Sequence, residues 1–375
     1  MASATVLMTL MNLEIGGAET HTVLLARHMK EMGYRVLIAS AGGVYEDLLA
    51  GQGIRHYQLP LDKSGFGSLY RSVWALQRII KEEKVSLIHA HARIPAFAAS
   101  FVSSFTGVKM LTTAHAVFAT GFPKGYLSRW GEATIAVSED VKNHLINAFG
   151  LPEKNIVLIP NGIDADHFRP GQSGTDDIRA TITDDNDKMV IVYVSRLDRP
   201  LASVATNLIR ACGDFAGILP VKLVIAGDGV CYGDVAAEAK KVNDKTGTEI
   251  VRLLGARTDI NLLLDAADLA AGVSRVALEA MACGNNVILA GGEGFGGLMK
   301  ETDLPMFEKD NFTGRQFDKL ATVEDFQQAI KEFAGLPEVE KKQRGYAFRQ
   351  HVIDHYSSLY MARETAKVYE KLIGN

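Results

Sequence analysis

"TVLMTLMNLEIGGAETHTVLLARHMKEMGYRVLIAS", residues 5–40, sets the pattern for the whole chain. "TVLMTLM" (5–11) is a short, continuously apolar run, as in a strand buried on both faces. "AETHTVLLARHMKEMG" (18–33) has its apolar residues at helical spacing and stops at Gly33. "YRVLIAS" (34–40) is a strand again. Strand, helix and strand in so short a span make a βαβ unit on a parallel sheet.

The rhythm continues along the chain. "LYRSVWALQRIIKEEK" (69–84) and "AFAASFVSSFTG" (96–107) read as helices, each followed by a strand, "VSLIHAH" (85–91) and "KMLTTAH" (109–115). "ATIAVS" (133–138) and "NIVLIP" (155–160) extend the sheet. "NGIDADHFRPGQSGTDD" (161–177), rich in Gly, Asp and Pro, reads as a linker. The alternation then restarts with "MVIVYVS" (189–195), "ASVATNLIRACGDF" (202–215) and "VKLVIAGDG" (221–229). It runs through "LAAGV" (269–273), a helix carrying Glu279, and "NVILAGG" (286–292). The amphipathic end, "YSSLYMARETAKVYEKLIGN" (356–375), has no strand after it. The expectation is two parallel α/β domains with ligands at the carboxyl ends of their strands.

Composition narrows the function. A chain of 375 residues, 47% hydrophobic and 22% charged, suits two globular domains. A net charge of −4 argues against a nucleic-acid surface. Residues 1–160 carry 15 Lys/Arg and 12 Asp/Glu, so the first half is mildly basic and the remainder acidic. Three cysteines (Cys212, Cys231 and Cys283), without a CxxC, make neither a disulfide framework nor a zinc site. They suit a reducing cytoplasm. The apolar run at the start reads as a buried strand, not a signal peptide, and no run is long enough for a transmembrane helix. "FATGFPKGYLSRW" (118–130) mixes aromatic and basic residues, which suits a weak peripheral membrane contact.

Candidate site residues lie at strand ends. Gly16 and Gly17 open a helix, where backbone N–H groups favour an anion. His89, His91 and Arg93 close one strand, with both histidines on one side of it, and His115 closes the next. No HExxH pattern or cysteine accompanies them, so no metal is expected. Arg196, just past a strand, suits a phosphate. Glu279, one turn into its helix, suits two adjacent ribose hydroxyls. "DAD" (164–166) falls in the linker, and "GEGFGG" (292–297) comes too late in its domain for a dinucleotide fingerprint.

These pieces together resemble the retaining glycosyltransferases of family 4 (glycosyl transferase group 1), which have the GT-B fold. The resemblance rests on "GGAETHTVLLARHMKEMGYRV", "IHAHARIPA", "TTAHAVF", "TIAVSEDVKNHL", "IPNGIDADHFRP", "VSRL", "LVIAGDG", "VRLLGAR" and "ALEAMACGNNVILA", in that order. It implies an α/β chain of two Rossmann-like parallel-sheet domains facing each other across a cleft. Residues 1–165 would bind the acceptor, with helix 355–375 crossing back to them, and residues 176–354 the donor. It implies a metal-independent, cofactor-free enzyme of hexosyltransferase type. The donor would be a nucleotide-diphosphate sugar, most naturally a UDP-sugar, and the acceptor a saccharide, glycolipid or small molecule. Localisation would be cytoplasmic, or peripheral at the inner face of the membrane. By resemblance, Gly17, beside Gly16, faces the diphosphate and His115 lies near the transferred sugar. Arg196 holds the diphosphate, Arg257 sits at the base, Gly272, Val273 and Ser274 offer backbone amides, and Glu279 binds the ribose. His89, His91 and Arg93 lie on the acceptor side.

Two positions depart from the family pattern. Its first glutamate, eight residues before Glu279, is Ala271 here, and its lysine, five residues after Arg196, is Leu201. Arg275 or Arg199 could compensate, and a guanidinium at Arg275 would suit an acidic sugar. The departures leave two rivals open. One is a degenerate protein that binds nucleotide or a partner without turnover, the other a nucleotide-sugar epimerase or hydrolase on the same fold.

Overall fold

The computed structural model describes residues 4–121, 125, 127–183, 185 and 187–374. Two compact units divide the chain: residues 1–162 with 357–375, and residues 163–356.

The first unit contains β1 (Thr5–Thr9), α1 (Gly17–Glu31), β2 (Arg35–Ser40), α2 (Glu46–Gly51), β3 (Arg55–Gln58) and α3 (Phe66–Glu83). It continues with β4 (Leu87–Ala90), α4 (Arg93–Thr106), β5 (Lys109–Ala114), β6 (Ala133–Ala136), α5 (Glu139–Phe149) and β7 (Ile156–Leu158). The strands form one sheet in the order β3-β2-β1-β4-β5-β6-β7. Every pairing is parallel. β1 and β4 are buried along their whole length, so they read as unbroken apolar runs. Helices stop where glycine takes a left-handed conformation, as at Gly107 (φ 73°) after α4.

The second unit holds α6 (Thr175–Ile182), β8 (Met189–Val194), α7 (Arg199–Asp214), β9 (Val221–Ala226), α8 (Tyr232–Thr246), β10 (Val251–Gly255) and α9 (Ile260–Asp265). It continues with β11 (Leu269–Gly272), α10 (Arg275–Ala282), β12 (Asn286–Ala290), β13 (Phe295–Leu298), α11 (Leu304–Phe307), α12 (Val323–Ala334) and α13 (Glu338–His355). The sheet order is β10-β9-β8-β11-β12-β13. Its last strand runs antiparallel to β12. "GEGFGG" leads into this edge strand. A Cβ on Gly294 would sit 2.0 Å from the Gly314 carbonyl, so that glycine serves close backbone packing.

The chain returns to the first unit through α14 (Ser358–Ile373). Met361, Tyr369 and Leu372 of α14 share a core with Val23 and Leu25 of α1 on one face of the first sheet. Leu76 and Ile80 of α3, with Ala99 and Val102 of α4, cover the other face.

The 161–177 segment is not a free linker. Ile163 and Phe168 are buried in the second unit's core beside Phe348 and Val352. The Arg349 guanidinium donates to the carbonyls of Phe168 (3.1 Å) and Ala165 (3.3 Å). The Asp265 carboxylate accepts from the backbone of Gly171 (2.9 Å) and Gln172 (2.7 Å). Composition shows the turn-forming backbone but not these distant partners.

Candidate active-site residues of the two units

In a doubly wound sheet, ligands bind beyond the carboxyl ends of the strands where strand order reverses. The reversal falls between β1 and β4 in the first unit and between β8 and β11 in the second. Most of the expected site residues flank these two points.

In the first unit, Gly16 caps α1 in an extended conformation (φ −161°). A Cβ on Gly17 would meet nothing within 4 Å, so packing alone does not require glycine there. A Cβ on Gly16 would strike the Glu19 carboxylate. That acid sits at the amide end of α1, where the helix dipole favours it.

The histidines separate by role. His89 and His91 point to the same side of the sheet, with ring centroids 4.0 Å apart. His89 is a structural residue. Its Nδ1 meets the Tyr369 hydroxyl and its Nε2 the Thr113 hydroxyl, both at 2.7 Å, which ties β4 and β5 to α14. Fully buried and with both nitrogens engaged, it has no atom left for an acceptor, contrary to expectation. His91 Nδ1 lies 3.3 Å from His115 Nε2. The outer nitrogens, His91 Nε2 and His115 Nδ1, have no hydrogen-bond partner among the described residues.

His21 of α1 completes the group and went unrecognised in the sequence. Its ring centroid is 4.7 Å from that of His115 and 5.6 Å from that of His91. One ring nitrogen from each of His21, His91 and His115 lies within 4.8 Å of the others. Neutral imidazoles so placed could ligate a metal such as zinc, or donate to and accept from a bound polar substrate. Burial lowers the pKa of His89 to about 3 and that of His115 to about 4, and holds His91 well below the usual range. All three are therefore neutral near pH 7.

Arg93 turns to its own loop. It donates to the Ala119 carbonyl (3.0 Å) and lies over the Phe118 ring (5.1 Å). Its Nη2 thus ties down a loop, while Nη1 has no hydrogen-bond partner among the described residues. Within the aromatic-basic stretch 118–130, Phe122, Pro123, Lys124 and Tyr126 lie outside the described residues. Trp130 packs against Phe118 (5.8 Å) and Phe149 (5.2 Å). Those rings face protein.

In the second unit, Arg196 is exposed just beyond β8. Arg257 is paired with Asp259 (Nε to Oδ1, 2.8 Å). Glu279 is buried on α10, and Arg275, four residues earlier, holds its Oε1 at 2.6 Å. Burial raises the Glu279 pKa, and the guanidinium opposes that rise. Arg275 is thus committed to Glu279, which removes the reason for expecting an acidic sugar.

The departures also look different in three dimensions. Ala271 is a strand residue of β11, paired with Tyr193 and Ile288 and enclosed in the core. Only Val273 and Ser274 join β11 to α10. A carboxylate at 271 would be buried in the sheet. Leu201 lies in the first turn of α7, where its carbonyl accepts from the Tyr193 hydroxyl (3.2 Å).

Of the expected backbone donors, the Ser274 amide is already used, bonding the Phe312 carbonyl at 2.6 Å. Gly272 is required by packing, since a Cβ there would meet Val276 Cγ1 at 2.7 Å. Ser274 itself has φ 51° and ψ −122°, a conformation that favours glycine. Ser274→Gly is expected to stabilise the fold by about 1 kcal/mol, read as a higher midpoint in urea with an unchanged slope. An equal or lower midpoint would show that Ser274 is unstrained.

A family model described as Glycosyltransferase Family 4 matches residues 15–167, and one described as Glycosyl transferases group 1 matches residues 188–331. The chain belongs to this glycosyltransferase family. It is an enzyme of the transferase class. Its two α/β units are those of the GT-B fold.

Among its relatives, the alpha-maltose-1-phosphate synthase of Mycobacterium tuberculosis is 26% identical over 327 residues, covering 76% of this chain and 79% of the relative. The D-inositol 3-phosphate glycosyltransferase of Mycobacterium bovis is 25% identical over 343 residues, covering 80% and 68%. A Rickettsia africae glycosyltransferase superposes with a TM-score of 0.82 at 21% identity, over 100% of this chain and 99% of that one. Anabaena HepE, solved with UDP and glucose, gives 0.75 at 18% identity, over 98% and 100%.

Proposed function

We propose that the transferase takes a sugar from a UDP-sugar and passes it, with retention of configuration and without a metal, to an acceptor hydroxyl. The acceptor is a saccharide, a lipid-linked saccharide or a small molecule. The observation that carries this reading is Glu279, a buried carboxylate with one oxygen on Arg275 and further lone pairs to offer. Two neighbouring ribose hydroxyls are the donors that fit it. Arg196, exposed at the end of β8, supplies a planar fork for the diphosphate. A fixed cation there stabilises the charge that develops on the leaving diphosphate. Neutral His115 serves in this reading as a hydrogen-bonding group for the sugar. The UDP and glucose bound by the structurally similar HepE support the choice of nucleotide.

Calorimetric titration with UDP, GDP, ADP and NAD tests this. UDP is expected to bind, and Glu279→Ala to weaken it tenfold or more, about 1.4 kcal/mol. Arg275→Ala leaves the buried carboxylate without its cation, so its pKa rises further. UDP binding by that variant is then expected to weaken more steeply than binding by the parent as pH falls towards 6. Failure of every nucleotide to bind, or a Glu279→Ala variant that binds UDP as the parent does, would reject the assignment.

A further inference from the structure

Large aromatic side chains stand exposed on two adjacent helices of the first unit. On α3 these are Phe66 (86% exposed), Tyr70 (66%) and Trp74 (58%). Their spacing of four residues puts them along one flank of the helix. On α4, Phe101 (38%) and Phe105 (69%) repeat the spacing. Both helices cover the same sheet face through Leu76, Ile80, Ala99 and Val102, so their other sides point outward together.

Handedness brings the two rows together. Right-handed crossovers in the order β3-β2-β1-β4-β5 place α4 beside α3 on the side towards β5. At about 100° per residue, Phe66, Tyr70 and Trp74 lean to the flank of α3 nearer α4. By the same turn, Phe101 and Phe105 lean to the flank of α4 nearer α3. The rings therefore line one outer seam. Apolar patches of this kind on soluble chains mark interaction surfaces.

The charge around the seam indicates what covers it. Lys63, Arg71, Arg78 and Lys81 are all exposed on α3 or just before it. Of the acids in the same stretch, Asp62 neighbours Lys63, Glu82 is paired with Arg78, and Glu83 is drawn inward by Arg35, Arg55 and Tyr57, which leaves Arg71 and Lys81 as the uncompensated cations among these described residues. Aromatic rings flanked by lysine and arginine have the chemistry of the boundary between lipid headgroups and acyl chains. Basic residues beside them add attraction to anionic lipid.

We propose that the outer face of α3 and α4 docks the transferase on an anionic lipid bilayer. No helix among the described residues is long and apolar enough to cross a membrane, so this contact is peripheral. The proposal does not depend on the donor assignment, because its test reads membrane binding and not transfer.

The test is flotation of the full chain with phosphatidylcholine vesicles, with and without phosphatidylglycerol, at low and high salt. Binding is expected to the anionic vesicles and to weaken with salt. Tyr70→Ser/Trp74→Ser/Phe105→Ser is expected to reduce binding at least tenfold, with melting temperature and circular dichroism kept as controls of the fold. Arg71→Ser/Lys81→Ser is expected to weaken binding and flatten its salt dependence. Trp74 fluorescence should shift to the blue on adding vesicles, a shift absent in Trp74→Phe. No binding at low salt, or equal binding by the triple variant, overturns the proposal. So does a dimer that the triple variant abolishes while vesicles stay unbound.

Discussion

Taking the protein from about pH 7.5 to about pH 5 is expected to remove on the order of 5 kcal/mol of folding stability. The source is the group His89, His91 and His115, whose burial keeps them neutral and lowers each pKa. Once the chain unfolds, each returns to about 6.5 and binds a proton at pH 5. The unfolded state then holds more protons, so stability falls as pH drops through 6.5. It keeps falling until the folded pKa values of about 3 for His89 and about 4 for His115 are reached. His89 and His115 each account for about 2 kcal/mol of that loss at pH 5, and His91 acts in the same direction, against a typical total stability of about 5–15 kcal/mol. Urea unfolding at the two pH values measures the loss, and His91→Asn should reduce the pH slope by about one proton. A stability that is level between the two pH values would mean that these rings are charged or hydrated in the fold.

His115→Ala is expected to lower kcat about 10²–10³-fold, the usual cost of removing a polar group aimed at the reacting centre. The imidazole has one nitrogen on His91, and its Nδ1 has no hydrogen-bond partner of normal geometry among the described residues, so it is offered as a group for substrate. UDP affinity should change much less, because the nucleotide contacts are assigned to the second unit. His89→Gln provides the contrast. Its ring is fully engaged by Tyr369 and Thr113, so the substitution should lower stability more than kcat. Equal losses of kcat in the two variants would show that His115, too, acts only through the fold.

Much of this was legible in the chain. Parallel strands are buried on both faces, so β1, β4 and β8 appear as apolar runs between helical stretches. Strand ends are legible for the same reason, which is how His91, His115 and Arg196 could be picked out. Partners were not legible. Nothing near Arg275 in composition shows that its guanidinium folds back on Glu279, although the four-residue spacing on a helix is the signal that could have found it. His21 sits on the buried side of α1 and meets the others only because β4 lies next to β1, and β5 next to β4, in the sheet. Asn161, whose side chain raises the His115 pKa against the larger effect of burial, belongs to a segment read as linker.

By itself, the sequence determined the class of fold, the succession of two parallel units, and which residues end up at strand tips. Hydrophobic period and helix punctuation are local properties, and they survive without any knowledge of neighbours. Only the tertiary structure decided what each polar side chain does. It made His89 a structural tie, left His115 Nδ1 without a hydrogen-bond partner among the described residues, and drew Arg93 to a loop carbonyl. It also placed Ala271 in the core, where no carboxylate would be tolerated. A polar group's role depends on which partners remain after folding. Those partners come from residues distant in sequence, such as Tyr369 beside His89 and Phe312 beside Ser274.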